Sequence, residues 1–570
     1  MQQSLEILKK YWSYDSFRHN QEKIINSILE KKDTLAILPT GGGKTICYQI
    51  PSLILEGICI VVSPLISLMN DQVENLKIKG IKSIAITSKM DYNEVNIALT
   101  NCIYGNFKFL YLSPERLQNE FVKKKISEMK VNLIAIDEAH CITEWGHDFR
   151  PSYRNISVLR QIKPDATILA LTATATEKVA TDIQENLNFN SKKIIKSPLK
   201  RKNISYLIYK VDNKINKLIN ILKSIDESAI IYVKTRKKSE TISKLLNKNI
   251  INSKYYHAGM SVLDREKVQI DWKNSKIKVL VSTNAFGMGI DKPDVRLVIH
   301  FHIPDNIESY YQENGRAGRD GKESYAILLH NDKDVIEYKK SIKTNFPNLE
   351  DLKSIYQNLA NYLQLAINQG KDKSYDFKLS EFCKKYKYNN VKVINSFKIL
   401  ENEKFLMLQN NLYRKSRVKI IVTLTELNNF QSNNVLFDSF INLLLRSYIG
   451  IFDNYVDIDE RELANKKQIS EKEIYYILNK LNQLEIISYI PKTSGFQIKY
   501  LQNRINQKHI KISEKTLNNI VKSNVQRMKS ILEYVEQKTM CRTKLILSYF
   551  DEYQEKKCEK CDVCRSQKII

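Results

Sequence analysis

Residues 34–45 read Thr-Leu-Ala-Ile-Leu-Pro-Thr-Gly-Gly-Gly-Lys-Thr, a short aliphatic run, a proline, and three successive glycines before a lysine and a threonine. A strand that ends in such a loop at the start of a helix turns backbone N–H groups, and the helix dipole behind them, toward a polyphosphate. Lys44 then neutralises the outer phosphates, and the Thr45 hydroxyl is a ligand for Mg²⁺. Thr40, Gly41, Gly42, Gly43, Lys44 and Thr45 are therefore read as a nucleotide site. Leu38 stands where the strict phosphate-loop pattern has glycine.

About ninety residues on, Leu133-Ile-Ala-Ile-Asp-Glu-Ala-His140 is a buried-strand pattern ending in two carboxylates. Asp137 is placed to hold Mg²⁺ through water, and Glu138 to polarise an attacking water. Either acid alone fits a solvated strand end; together with the glycine loop they point to ATP hydrolysis. Farther along, Gln312-Glu-Asn-Gly-Arg-Ala-Gly-Arg319 sets two arginines three apart on one helical face, with small residues between them. Arg316 and Arg319 are candidates to stabilise charge on a transferring phosphoryl group.

Around these stretches, β-branched runs alternate with helical ones: Thr34–Leu38, Cys59–Val62, Ser83–Ile86, Phe107–Leu112, Leu133–Ile136 and Thr167–Leu171, then Ala229–Val233, Val279–Ser282, Val295–His300 and Ala326–Leu329. Alternation of this kind means parallel α/β sheets with ligands at their carboxyl ends. The gap at Lys196–Asn203 separates the two series, so two lobes joined near residue 200 are expected. Ten of the sixteen glycines fall in six short clusters, at 41–43, 146, 259, 287 and 289, 315 and 318, and 321, all before residue 325, where a backbone must turn tightly or approach a ligand.

After about residue 340 the pattern changes. Segment 376–420 reads as helix, turn at Asn389-Asn390, helix and short strand, and segment 458–500 repeats it with a capping box at Ser470-x-x-Glu473. The second copy ends in Ile486–Ile490 and Phe496–Tyr500 around Pro-Lys-Thr-Ser-Gly, read as a hairpin. Helix-turn-helix with a β wing fits winged-helix domains, which either grip DNA or only pack against neighbours. Four of nine cysteines close the chain as Cys541-x₁₆-Cys558-x₂-Cys561-x₂-Cys564. Four thiolates make a closed tetrahedral site suited to structural Zn²⁺ in a reducing compartment.

The chain of 570 residues has room for roughly three to five domains. With 90 Lys and Arg against 63 Asp and Glu it carries a formal charge of +27, a surplus that suits a polyanionic partner, nucleic acid before membrane. Base-composition bias toward Lys, Asn and Ile explains part of that surplus. No apolar run has the length of a membrane span and the N-terminus has no signal-peptide core, so a cytoplasmic protein, nucleoid-associated if bacterial, is expected.

In order over roughly residues 8–330, these motifs resemble the RecQ family of superfamily 2 DNA helicases. Tyr14-Asp-Ser-Phe-Arg-His-Asn-Gln21 is similar to that family's extra N-terminal motif, which implies that Tyr14, Arg18 and Gln21 serve the nucleotide, with Gln21 on the adenine edge. His140 completes an Asp-Glu-x-His signature. Asp137 through Tyr153 resembles the aromatic-rich loop that links single-strand binding to hydrolysis, so Trp145, His147, Phe149 and Arg150 are DNA-contact candidates; aromatic faces stack on bases of any sequence. Leu171-Thr-Ala-Thr-Ala-Thr176 is similar to the lobe-coupling motif, and Gln312 to the γ-phosphate sensor. The region around Arg542 and the four cysteines resembles the RecQ zinc module.

The resemblance implies two RecA-like lobes (1–200 and 201–340), a winged-helix-like region (341–510) and a helical zinc module (511–570). It implies an ATP- and Mg²⁺-dependent 3′–5′ helicase acting on single-stranded and duplex DNA in repair and recombination, with a single-strand-binding protein as a candidate partner. The order departs from the family: there the zinc module follows the core directly, whereas here about 200 residues intervene. No strand-separating residue is assigned for that reason. Two other readings are an RNA-remodelling helicase built on the same two-lobe engine and a non-catalytic zinc and winged-helix DNA-binding protein.

Overall fold

The computed structural model describes residues 2–18, 20–87, 90–143, 151–225, 227–286, 292–410, 416–491 and 496–567. The chain forms two compact units, Met1–Lys343 with Asn518–Ile570, and Thr344–Leu517.

The first unit contains two all-parallel sheets. One is made of β1 (Thr34–Ile37), β2 (Ile58–Val62), β3 (Ser83–Ile86), β4 (Phe109–Leu112), β5 (Val131–Ile136), β6 (Thr167–Thr172) and β7 (Lys193–Lys196), in the order β3-β4-β2-β5-β6-β1-β7. The other is made of β8 (Ile204–Lys210), β9 (Ser228–Tyr232), β10 (Ser253–Tyr256), β11 (Val279–Ser282), β12 (Val295–His300) and β13 (Ser324–His330), in the order β10-β11-β9-β12-β13-β8. The central strands are mostly apolar on both faces and buried, apart from the half-buried start of β5 at Val131 and Asn132, because helices cover both sides of each sheet. Three strands are not anticipated by the β-branched runs: β7, β8 and β10. All three are sheet edges, where one neighbour is missing; β7 has lysine at both ends and β10 a lysine within it.

The first sheet sets the site. β5 and β1 both border β6, so the loop after β1 and the acids after β5 emerge about 10 Å apart at one sheet end, with the end of β6 between them. After β13 the chain leaves for the second unit and returns at residue 518. Helix Glu514–Glu536, helix Arg542–Tyr549 and the cysteine-bearing turn Asp562–Ser566 follow. These pack on the second-sheet side of the first unit, chiefly on helix Ile307–Asn314: Tyr534 meets Tyr310 at 5.4 Å between ring centroids, Tyr549 donates to Glu308 at 2.7 Å, and Lys560 pairs with Glu323, just before β13, at 2.6 Å. The unusual order of modules along the chain is therefore an excursion. The segment that separates the cysteines from the lobes in sequence folds as a unit of its own.

Within Thr344–Leu517 there are two three-stranded antiparallel sheets. β14 (Ser374–Phe377), β19 (Phe496–Tyr500) and β15 (Leu406–Asn410) form one, in the order β14-β19-β15. β17 (Val456–Ile458), β16 (Ser416–Ile420) and β18 (Ile487–Ile490) form the other, in the order β17-β16-β18. This corrects the hairpin expected around Pro491–Gly495. β18 pairs with β16, Ile490 opposite Arg417, while β19 pairs with β14 and β15, Leu406 opposite Tyr500 and Leu408 opposite Ile498. Alternating patterns fix which face of a strand is buried but not which neighbour it takes. Here the aromatic core decides, because Tyr500 and Phe405 both pack on Tyr356, at 6.0 and 5.7 Å between ring centroids, and Ile498 is fully buried. Segment 416–490, with its own core of Val418, Phe440, Leu463, Leu478 and Ile487, is thus nested between the two wing strands of the first winged-helix-like fold.

Candidate nucleotide site and zinc module

A cavity of about 530 Å³ gathers most of the residues singled out in the sequence. Tyr14, Arg18, Gln21, Thr40, Gly41, Gly43, Lys44 and Thr45 line one side with Asp137 and Glu138, and Gln312, Arg316 and Arg319 line the other. Gly41 and Gly43 hold left-handed φ of 79° and 72°, and helix Ile46–Ile54 starts directly after Thr45. A side chain on Gly43 would put its Cβ 2.3 Å from Gln21 Nε2. Gly42 does not line the cavity; its carbonyl, like that of Gly43, accepts from Gln21 Nε2, at 3.3 and 3.0 Å. Gln21 Oε1 accepts from the Arg18 backbone N–H at 2.8 Å, so in this arrangement one end of the Gln21 amide holds the phosphate loop and the other the N-terminal segment. The Arg18 guanidinium lies 5.1 Å from the centre of the Tyr14 ring.

Lys44 Nζ lies 3.5 Å from Glu138 Oε1, both side chains largely buried. Burial and the adjacent Glu138 carboxylate push Asp137 up to about 6, with Lys44 pulling the other way. Glu138 sits at φ 48°, ψ 47°, a left-handed conformation unfavourable for a residue with a side chain and often found where a site fixes one carboxylate direction. The Tyr153 hydroxyl donates to the Asp137 carbonyl at 3.1 Å and pins the turn from below. His140 is fully buried, with Nδ1 3.0 Å from Thr172 Oγ1 and 3.4 Å from Glu138 Oε2. The acids after β5 are thereby tied to the start of Leu171–Thr176. Thr172 and Tyr153 were not singled out as site residues. Each lay inside a quoted motif, but nothing in residue type separates them from their neighbours.

On the other side, Arg316 is 4% exposed, and the Arg319 side chain runs within 3.2 Å of where a Cβ on Gly41 would stand. Gly315 approaches Thr40 so closely that a Cβ there would lie 2.7 Å from the threonine Cβ. The arginine segment and the phosphate loop therefore face each other across the cavity. Trp145, His147, Phe149 and Arg150 lie outside the described residues.

The four cysteine sulfurs of the C-terminal cluster lie within 4.8 Å of one another. Cys558 Sγ and Cys564 Sγ are 3.9 Å apart, matching the edge of about 3.8 Å in a tetrahedron of thiolates around zinc. Backbone N–H groups of Cys558, Cys561 and Cys564 donate to the sulfurs of Cys541, Cys558 and Cys561 at 3.3–3.4 Å. Hydrogen bonds from the Cys541 and Cys561 thiols hold Cys558 far below the ordinary thiol range. The donor set fits a structural zinc, with all four positions filled by protein. Arg542, beside the first cysteine, is clamped by Asp562 at 3.0–3.3 Å and donates to the Tyr534 carbonyl, locking the cluster to the long helix.

Residues 18–183 match the DEAD/DEAH box helicase family and residues 213–321 the helicase conserved C-terminal domain. Residues 418–491 match the RecQ helicase winged-helix domain, Bacteroidota, and residues 498–565 the RecQ zinc-binding family. The winged-helix match falls on the nested fold, not on the outer one. The ATP-dependent DNA helicase RecQ of Bacillus subtilis (strain 168) is 43% identical over 335 residues, covering 58% of this chain and 56% of the relative. A putative ATP-dependent RNA helicase of Acanthamoeba polyphaga mimivirus is 36% identical over 507 residues, covering 87% of this chain and 90% of the relative. The bacterial relatives are matched over about half to two thirds of their length, 52–66%. The solved structure of the helicase MrfA bound to DNA and AMPPNP shares the fold at a TM-score of 0.50 and 18% identity, over 60% of this chain and 53% of that one.

Proposed function

The chain belongs to the RecQ family of helicases, and on that premise we propose that it is an ATP- and Mg²⁺-dependent DNA helicase that moves 3′ to 5′ on single strands and opens duplexes in repair and recombination. The observation that carries the reading is the single cavity bounded by Lys44 and Thr45, by Asp137 and Glu138, and by Arg316 and Arg319.

In this reading ATP displaces Glu138 from Lys44, and the lysine passes to the β- and γ-phosphates. Thr45 and Asp137 fit a divalent cation, which when bound screens phosphate charge and keeps the raised Asp137 carboxyl ionised. Released from Lys44, Glu138 is held by its left-handed backbone to accept the proton of the attacking water. Gln312 faces the γ-phosphate. Arg316 and Arg319 reach it from the second sheet and stabilise charge on the transferring group, which ties hydrolysis to closure of the two sheets. Gln21 exchanges its bonds to the phosphate loop for the adenine edge, so base recognition frees the loop. Trp145, His147, Phe149 and Arg150 take the role of strand contact on the strength of the family resemblance.

A second reading, RNA remodelling, is favoured by one observation: the relative matched over 90% of its own length is described as a putative RNA helicase. Unwinding assays with ATP on DNA and RNA duplexes carrying 3′ or 5′ tails separate the two. Opening of 3′-tailed DNA alone is the expected result; opening of RNA duplexes with equal efficiency overturns the DNA assignment.

A further inference from the structure

The connection between the two sheets, Lys-Arg-Lys-Asn at 200–203, looks in sequence like a solvated linker. In the structure Arg201 is built into the site. Its Nη1 donates to the Thr40 carbonyl at 3.0 Å and to the Gly315 carbonyl at 3.4 Å, and its Nη2 to the carbonyls of Ala317 and Gly318 at 3.0 and 2.8 Å. No ion pair involves it among the described residues. One guanidinium is thus satisfied by four peptide carbonyls, three from the segment carrying Arg316 and Arg319 and one from the phosphate loop. Asn203 adds Nδ2 bonds to the carbonyls of Gly318 and Lys322 at 2.7 and 2.9 Å, and the Tyr311 hydroxyl donates to the Leu199 carbonyl at 2.7 Å. The connection is therefore tied to the arginine segment through Arg201 and Asn203.

The four bonds are not equivalent. Three lie between Arg201 and the second sheet's own loop. The fourth, to Thr40, is the one of the four that crosses to the first sheet, at the place where Gly315 approaches Thr40. A planar fork of fixed donors holds such carbonyls in one register, which a flexible ammonium does not. We propose that Arg201 is a positioning residue: it sets Arg316 and Arg319 in register with the phosphate loop at closure, touching no phosphate itself. The inference rests on the reading of those two arginines as groups that act on the γ-phosphate.

The test compares wild type, Arg201→Gln, Arg201→Lys, Arg316→Ala and the double variant Arg201→Gln/Arg316→Ala in ATP hydrolysis with saturating single-stranded DNA. Arg201→Gln should lower kcat by about 10- to 100-fold, with KM for ATP and the melting temperature nearly unchanged, because a misplaced donor costs transition-state rather than ground-state binding. Arg201→Lys should restore part of the loss and keeps the test alive if the glutamine variant folds poorly. Added to Arg316→Ala, the Arg201→Gln change should cost far less than it does alone, since one acts through the other. A normal kcat in Arg201→Gln, or losses that simply multiply in the double variant, overturns the inference while Arg316→Ala remains defective. Full activity of Arg316→Ala would instead remove the finger reading, and this inference with it.

Discussion

Lys44 meets Glu138 because β1 and β5 border the same central strand and finish at the same end of the sheet; Leu406 meets Tyr500 only because segment 416–490 folds around a core of its own between them. The nucleotide cleft is assembled from runs of four to eight residues, each placed by the end of one strand. The accessory unit is assembled from strand partners far apart in the chain. The first kind of order is a matter of chemistry and is written in residue types. The second is a matter of which surface a strand buries best.

The largest effect expected on the cleft side is that of Lys44→Ala. Loss of the charge on the outer phosphates should lower turnover on the order of 10²–10³-fold or more. Hydrogen exchange in residues 344–517 should be unchanged. Slowed turnover together with loosened exchange there would break the separation drawn between the two regions.

On the accessory side, the topology itself can be tested by replacing residues 411–495 with a short Gly-Ser linker joining β15 to β19. The nested arrangement predicts that β14, β15 and β19 keep their slow exchange and that ATP hydrolysis persists. Had β18 and β19 formed a hairpin, the same deletion would strip β19 of its partner and leave its amides unprotected.

A smaller effect sharpens the comparison by pH. Burial pushes the Glu401 carboxyl, near the end of helix Asn390–Asn402, up to about 7. A carboxyl raised on folding binds more protons in the native state, so its contribution to stability is full below the unfolded value of 4.5 and is lost as pH rises through about 7. Glu401→Gln should therefore stabilise the accessory unit at pH 8 by on the order of 1 kcal/mol, with the gain shrinking toward pH 5. Denaturant titrations at the two pH values measure it; a gain independent of pH would rule out the titration of Glu401 as its cause.

What could be read from the sequence follows the same division. Gly41, Gly43, Lys44, Thr45, Asp137, Glu138, Arg316 and Arg319 stand out in the sequence because polyphosphate chemistry demands those residues at those spacings, and one cleft is lined by all of them. The cysteine quartet was visible because tetrahedral coordination by four thiolates is legible from spacing. Arg201 was not, since its partners are backbone carbonyls and carry no sequence signature. Edge strands such as β7 were hidden by their lysines. The pairing of β19 escaped because a five-residue polar turn with glycine and proline reads as a hairpin whichever way its strands part.

The central claim, a nucleotide engine driven by DNA, is tested most directly by ATP hydrolysis of the full chain in Mg²⁺, measured alone, with single-stranded DNA and with single-stranded RNA. Strong stimulation by DNA and little by RNA is expected. Equal or greater stimulation by RNA, or no response to either, would contradict it.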